Sequence, residues 1–443
     1  MRRSTRRTSR MWRAPAAAGV AAAVLGLVAA GCSSSPSTSA SSGGKTVITF
    51  ANWADAEQNT APGIDAAIKE YESLHPDIEI KQEPVSFTDI DHQLLLEAKS
   101  GNTPDIAEVQ GDYVFDQAAT GDLQDLSSYL TSSYKSQVIP SELSLGVVNG
   151  QQVAIPWAVA PFALWYNKTL MKEAGLNPVA PATWDQLLAD AKAIHAKFPK
   201  IDVIGIDSTA REYNVDQDWP IMQSFGGVPF SGKTATATSP AVQDFLTFMR
   251  TVDKDGYTPE GQTTGSFRQP AASNQVAFTI DGPFVKGVVQ STNHESDAAF
   301  YSTWGVAALP ASSPGGTHYS SPEDHQLIMF KSSANKQAAW DFMSWLSTSQ
   351  WAAVNYTIKY ENALPPLASP TGAVAAQLSN PISEAFTKDV IPTVKEPDWG
   401  PGYGAAYLDF TAAVQQAMTT STPISSIASS LQSKLTTDLA TAG

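Results

Sequence analysis

Trp53, Asp55 and Glu57 stand within five residues of one another, directly after the apolar run Val47-Ile48-Thr49-Phe50. Asp112-Tyr113 follows the apolar run Ile106 to Val109 in the same way. Gln217-Asp218-Trp219 and Asp398-Trp399, with Tyr403 close behind, repeat the combination later in the chain. A flat aromatic ring covers an apolar C–H face. Carboxylates and amides bond in pairs to hydroxyls. Together they suit a small polyhydroxylated solute better than they suit bond breaking. Asp281-Gly282-Pro283-Phe284, a tight loop after another apolar run, adds a further acid and aromatic. Trp157 stands where the chain turns at Pro156, and Glu323 lies in the polar link Ser320 to Asp324. The expected ligand-binding set is therefore Trp53, Asp55, Glu57, Asp112, Tyr113, Trp157, Asp218, Trp219, Asp281, Phe284, Glu323 and Trp399.

Spacings that carry catalysis or hold metals are missing. There is no H-E-x-x-H and no G-x-S-x-G elbow. The six histidines, His75, His92, His195, His294, His318 and His325, are scattered, so no metal site and no cofactor is expected. His325 alone lies at a link that could reach a ligand. Carboxylates are plentiful, but nothing marks out a glycosidase pair. Gly227 to Thr234 spells G-x-x-x-x-G-K-T, the phosphate-loop pattern. That chemistry needs a strand before the loop and a helix opening at Lys-Thr. Here a helical stretch precedes it and β-like Thr234-Ala235-Thr236 follows, so a hairpin turn is expected.

These residues must be placed by a strand–helix alternation. Ile64, Ala67, Ile68, Tyr71 and Leu74 recur at helical spacing before Pro76. Ile78-Glu79-Ile80 and Ile106 to Val109 read as further strands. The alternation predicts a parallel, doubly wound α/β sheet, whose ligands sit at the carboxyl ends of its strands. The run Ala154 to Leu170 reads as a strand, a turn at Pro156 and a second strand, where the chain leaves one lobe for another. Thereafter the pattern restarts. Thr183 with Gln186 caps a helix carrying Trp184, Leu187, Ala191 and Ile194 inward. Ser239-Pro240 opens another helix. Val203 to Ile206, Ala277 to Ile280, Gly305 to Pro310 and His325 to Phe330 read as strands, and the last 70 or so residues as polar helices.

The N-terminal segment stands apart. Six arginines between Arg2 and Arg13 precede an apolar run from Ala14 to Ala30. That run is shorter than the ~20 residues of a membrane span and fits an export signal. Val28-Ala29-Ala30-Gly31-Cys32 resembles a lipobox, with Cys32, the one cysteine, as the lipidated residue. Ser33 to Gly44 is a Ser/Gly-rich tether with a reach of roughly 19 Å. Cleavage before Cys32 leaves 412 residues, with 22 basic against 43 acidic side chains, a net charge of −21. That length predicts two domains. That charge argues against nucleic acid as a partner.

The whole stretch from residue 45 resembles the family-1 extracellular solute-binding proteins of ABC importers, relatives of maltose-binding protein. The resemblance rests on Ile155-Pro156, Ala163 to Lys168, Ala174-Gly175-Leu176 and Thr183 to Leu187. Gly101 to Ile106, Gly121 to Leu126, Ala308-Leu309-Pro310 and Ala338 to Phe342 add to it. It implies a two-lobed, hinge-closing α/β fold, with residues 45–156 plus 325–357 as one lobe and 157–324 plus 358–443 as the other. Crossings are implied near Pro156-Trp157, Ser321–His325 and Tyr356–Glu361. It implies a sugar or oligosaccharide ligand, no catalysis, ABC permease subunits as partners, and a lipid anchor on the outer face of the cytoplasmic membrane. Two other readings stay open: the same fold binding a polyamine, and a surface glycosidase.

Overall fold

Thr46 to Asn52 forms β1, whose Ile48 and Phe50 face one apolar layer and whose Ala51 meets another, so both faces are buried. The computed structural model describes residues 44–111, 113–397, 400 and 402–442. Cys32, Asp112 and Trp399 lie outside these. Lys45 to Gly443 forms one compact unit. In chain order, α1 (Ala61–Leu74), β2 (Ile78–Pro84), α2 (Ile90–Ser100) and β3 (Ile106–Gln110) follow. β4 (Ala154–Ala158) completes the first pass through one sheet, and β5 (Ala163–Asn167) opens a second. Then come α3 (Trp184–Lys197), β6 (Asp202–Gly205), α4 (Val215–Ser224), α5 (Pro240–Lys254), β7 (Val276–Asp281), α6 (Phe284–Asn293) and β8 (Trp304–Ala307). The chain returns as β9 (His325–Met329) and α7 (Lys336–Thr348). A π-wound helix α8 (Ala353–Glu361) and the paired helices α9 (Gly404–Thr419) and α10 (Ile424–Thr441) close it.

The two sheets define two lobes. The lobe 1 sheet runs β2-β1-β3-β9-β4, and the lobe 2 sheet β8-β5-β7-β6. Neither is wholly parallel, which corrects the expected parallel strand direction. β1 is parallel to β2 and β3, but β9 is antiparallel to both β3 and β4. β7 is parallel to β6, whereas β5 is antiparallel to β7 and β8. The reason is the route of the chain. β5 and β9 enter their sheets directly from the crossing side, so they run against strands that end there.

Three segments cross between the lobes and are bonded to one another. The first spans Val159 to Phe162. Val159 and Leu364 exchange backbone hydrogen bonds of 2.8 and 3.0 Å, tying it to the third crossing. Phe162 N donates to Ser321 O at 3.1 Å, and Ser320 Oγ donates to Phe162 O at 2.6 Å, tying it to the second. Asp324 Oδ1 accepts from Ala160 N at 2.7 Å. Burial pushes the Asp324 carboxyl well up, and the nearby Glu142 carboxyl adds to the rise. β4 keeps pairing with β9 as far as Ala158, just before the first crossing.

Local signals behaved as their chemistry requires. Thr183 Oγ1 accepts from Gln186 N at 3.2 Å, while the Gln186 side chain reaches back to Ala182 N at 3.1 Å, one residue before the expected partner. Thr183→Ala is expected to cost about 1 kcal/mol, read as a lower urea midpoint at unchanged slope. An unaltered midpoint would show that the cap contributes nothing. The Gly227–Thr234 stretch forms a hairpin, Phe230–Ser231 against Thr234–Ala235, after helix α4 and with Gly232 at φ 51°. It cannot present converging amides to a phosphate.

Candidate functional site

The carboxyl ends of β1 and β3 and the start of β9 meet at one point in lobe 1. Glu108, in the centre of β3, is the charged residue of a fully buried strand whose other members are Ile106, Ala107, Val109 and Gln110. Its Oε2 accepts from Trp53 N at 3.2 Å and Ala54 N at 3.4 Å, which fixes the loop after β1. Its Oε1 lies 3.0 Å from His325 Nδ1. The register of β9 against β4 slips by one residue between Gln326 and His325, a bulge that re-aims the imidazole. Trp53 stands edge-on to that imidazole at 4.8 Å and to Phe87 at 5.5 Å. Glu361, the last residue of α8, brings Oε2 to 3.9 Å from His325 Nδ1, and its Oε1 accepts from Tyr356 Oη.

Lobe 2 supplies the facing wall. Asp281, at the end of β7, is gripped by Arg268 through two parallel bonds of 2.8 and 2.7 Å. Trp165 Nε1 donates to Asp281 O and Gly282 O at 3.2 and 3.0 Å, pinning the turn that follows. The Phe284 ring lies under Arg268 at 5.1 Å. Tyr213 Oη donates to Glu323 on the second crossing. Gly282 is required here: a Cβ would fall 2.8 Å from Glu323 Oε2 and 2.9 Å from the Phe284 ring.

The walls touch. Phe284 stacks on His325 at 6.2 Å and 20°, and Phe87 meets Tyr213 edge-on at 6.1 Å. Asp116 of lobe 1 accepts from Gly402 N of lobe 2 at 3.4 Å. Glu108, His325, Glu361 and Glu323 are all less than a tenth exposed, so the cleft is shut over them.

Electrostatics follow from that closure. Burial pushes the Glu108 carboxyl far above its ordinary range, against the pull of the Ala54 and Trp53 amides, and the Glu57 charge pushes the same way. Burial raises Glu361 to about 7, with His325 opposing and Glu108 adding. Burial also lowers His325, against the charges of Glu361 and Glu57. Glu57 is raised by burial and held back by His325 and Arg268, so it feels both walls. For Arg268 burial works against the charge, but Asp281 outweighs it and keeps the guanidinium charged.

The structure sorts the expected residues into three groups. Trp53, Glu57, Asp281, Phe284 and Glu323 converge on the cleft. Trp157, Asp218 and Trp219 are placed elsewhere, and the expectation for them is corrected. Trp157 is fully buried in the lobe 1 core, stacked on Tyr356 at 5.1 Å and tilted on Phe50 at 5.9 Å. Trp219 is buried in the lobe 2 core, edge-on to Phe230 at 5.2 Å. Asp218 lies inside lobe 2, bonded by Gln217 at 3.1 Å, and burial raises its carboxyl strongly. All three lost to apolar or internal packing that residue type alone does not reveal. Asp55 is half-buried and feels Asp65 of α1 after burial itself. Tyr113 is half-buried ahead of the short helix Val114–Ala119. Sequence reasoning missed Glu108, Arg268, Tyr213, Phe87, Tyr356 and Glu361. A lone glutamate inside a buried strand was a signal for Glu108. The expectation of no metal-type cluster came from spacing along the chain. The fold instead brings Glu108, His325 and Glu361 together from three distant segments, with donor atoms within 4.8 Å of one another.

Two mixed-sheet lobes, three bonded crossings and a polar–aromatic cleft between them define a hinged solute-binding protein. The family model of the bacterial extracellular solute-binding proteins matches residues 56–353, and the chain belongs to that family, the extracellular solute-binding family of ABC transporters. Its members bind solutes and are not enzymes, which removes the glycosidase reading. A relative from Brucella abortus, named only as a binding protein, is 26% identical over 306 residues, covering 68% of this chain and 72% of that one. The maltotriose-binding protein of Pyrococcus abyssi is 25% identical over 320 residues, covering 69% of this chain and 63% of that protein. A receptor of Streptomyces glaucescens, solved unliganded and with acarbose, superposes with a TM-score of 0.76. It is 20% identical, covering 90% of this chain and 100% of that one. Among the described residues no helix is long and apolar enough to cross a membrane.

Proposed function

We propose that this protein captures a sugar or oligosaccharide between its lobes and delivers it to an ABC permease. In this reading it is held at the outer face of the cytoplasmic membrane by a lipid on Cys32. In this reading one lobe comprises residues 45–158 plus 325–357 and the other 159–324 plus 358–443. The observation that carries the reading is the convergence of four rings, Trp53 and Phe87 from lobe 1 with Tyr213 and Phe284 from lobe 2. They meet on a cleft rimmed by Glu57, Glu323 and the Arg268–Asp281 pair. Rings stack on sugar faces, and fixed carboxylates accept paired hydroxyls. Closure removes water and strengthens those bonds. The names of the maltotriose-binding relative and the acarbose-bound receptor point the same way.

The test is tryptophan fluorescence and melting temperature of residues 45–443 against mono- and oligosaccharides, with the bound sugar recovered and checked for integrity. A saturable response to one sugar class is expected. Glu57→Gln and Phe284→Ala should each weaken it about tenfold, or about 1.4 kcal/mol, since each removes one cleft contact. Unchanged affinity in both would place the ligand elsewhere. The acidic surplus of the cleft favours a second reading, a polyamine. Its binding would fall steeply with added salt, whereas a neutral sugar should barely respond.

A further inference from the structure

We infer that Glu108, His325 and Glu361 form a binding site for a divalent transition-metal ion of the zinc class at the base of the cleft. The inference goes beyond the sugar reading and does not depend on it.

Two buried atoms at the base of the cleft approach without bonding. His325 Nδ1 and Glu108 Oε1 are 3.0 Å apart and buried, yet neither has a hydrogen-bond partner among the described residues. Such atoms are costly unless something satisfies them. Donors that converge on a shared metal stand in this relation to each other. With metal–ligand bonds of about 2.1 Å, neighbouring donors at octahedral or tetrahedral angles lie roughly 3.0–3.4 Å apart, aimed at the ion and not at one another. The third donor, Glu361 Oε2, faces the same Nδ1 from 3.9 Å and must close by about half an ångström to share the ion.

Each carboxylate is also held as a ligand should be. Glu108 spends Oε2 on the Trp53 and Ala54 amides and turns Oε1 inward. Glu361 spends Oε1 on Tyr356 Oη and turns Oε2 inward. The His325 ring is clamped between Phe284, face to face, and Trp53, edge-on. Fixed outer partners of this kind orient ligands and sharpen affinity. Trp157 stacks on Tyr356 and so supports the same carboxylate at one remove.

The donor set selects the ion. One imidazole with two carboxylates suits zinc or its neighbours. Calcium asks for six to eight oxygens, and magnesium keeps most of its water. Three protein donors match zinc sites that leave a position for water or a bound solute. Glu57 acts electrostatically on all three donors and adds negative charge that a dication would balance.

The test uses the full chain in detergent, stripped with EDTA, and titrated with Zn²⁺ against a chromophoric chelator. One tight equivalent is expected, and Co²⁺ in its place should show ligand-field bands that vanish in His325→Ala. Glu361→Gln and Tyr356→Phe should each weaken Zn²⁺ at least tenfold. Both are near-isosteric, and circular dichroism checks their folding. Wild type without a tight equivalent would overturn the inference. So would Zn²⁺ binding that survives all three substitutions, because it would belong to surface carboxylates. Sugar response is read in EDTA on the same sample. A sugar response without Zn²⁺ binding sinks only the metal site, and Zn²⁺ binding without any sugar response sinks only the sugar reading.

Discussion

Arg268→Ala is expected to lower stability by about 3–5 kcal/mol and to abolish ligand binding, because it strips the partner from a buried carboxylate. Asp281 is fully buried, and both of its oxygens are satisfied by the guanidinium. Removing the guanidinium leaves that charge in lobe 2 with the desolvation cost and no compensation. The Phe284 platform, which lies under Arg268, loses its lid as well. The double variant Arg268→Met with Asp281→Leu separates the two effects. Replacing a buried pair by apolar side chains of similar size is often neutral for stability. The double variant should therefore recover most of the fold, read by urea denaturation, while ligand affinity stays lost. Single and double variants of equal stability would show that the pair is not the buried, desolvated unit described above. A double variant that binds normally would remove Arg268 and Asp281 from the site.

The metal-free protein is expected to lose stability as pH rises from about 5 to 8. Glu361 is pushed up to about 7 by burial, and an unfolded glutamate ionises near 4.5. Between those values the folded chain holds a proton that the unfolded chain has released. Raising the pH therefore favours unfolding, and the slope of stability with pH is negative across that window. From Glu361 alone the loss is roughly 3 kcal/mol by pH 8, at 1.36 kcal/mol per pKa unit. Glu108, Glu142 and Asp324 are raised in the same sense and deepen the loss. His325 works the other way. Its lowered value means the folded ring stays neutral where the unfolded ring would charge, so it favours stability as pH rises toward 6.5. The carboxyls outnumber it. Denaturant midpoints in EDTA at fixed salt should fall between pH 5 and 8, and Glu361→Gln should remove part of that fall. A flat or rising profile would mean that these carboxyls are hydrated, as in an opened cleft.

The apolar periods of α1 and α3, the cap at Thr183, the turn at Gly232 and the strand–helix alternation are local. Each is decided by a few neighbouring side chains, so sequence was enough for the elements, the two-lobed class and the loops that border the cleft. Trp53, Glu57, Asp281, Phe284 and Glu323 could be expected at the cleft because they follow strands or crossings, and strand ends are where such a fold opens to a ligand. Trp157 stands near the end of β4 and Trp219 within α4, and both rings turn into the cores. Which way an indole turns depends on whether Tyr356 or Phe230 waits across the layer, and those partners lie 199 and 11 residues further along. Sheet direction was likewise a matter of route: nothing in the composition of β5 or β9 says from which end the chain will enter. Most of all, Glu108, His325 and Glu361 carry no common motif. They are separated by 217 and 36 residues, and only the return of β9 between β3 and β4, followed by α8, sets their donor atoms against one another. Sequence by itself determined which segments could line a site. Tertiary structure alone decided which side chains meet there, because burial and contact are properties of pairs that the chain brings together from far apart.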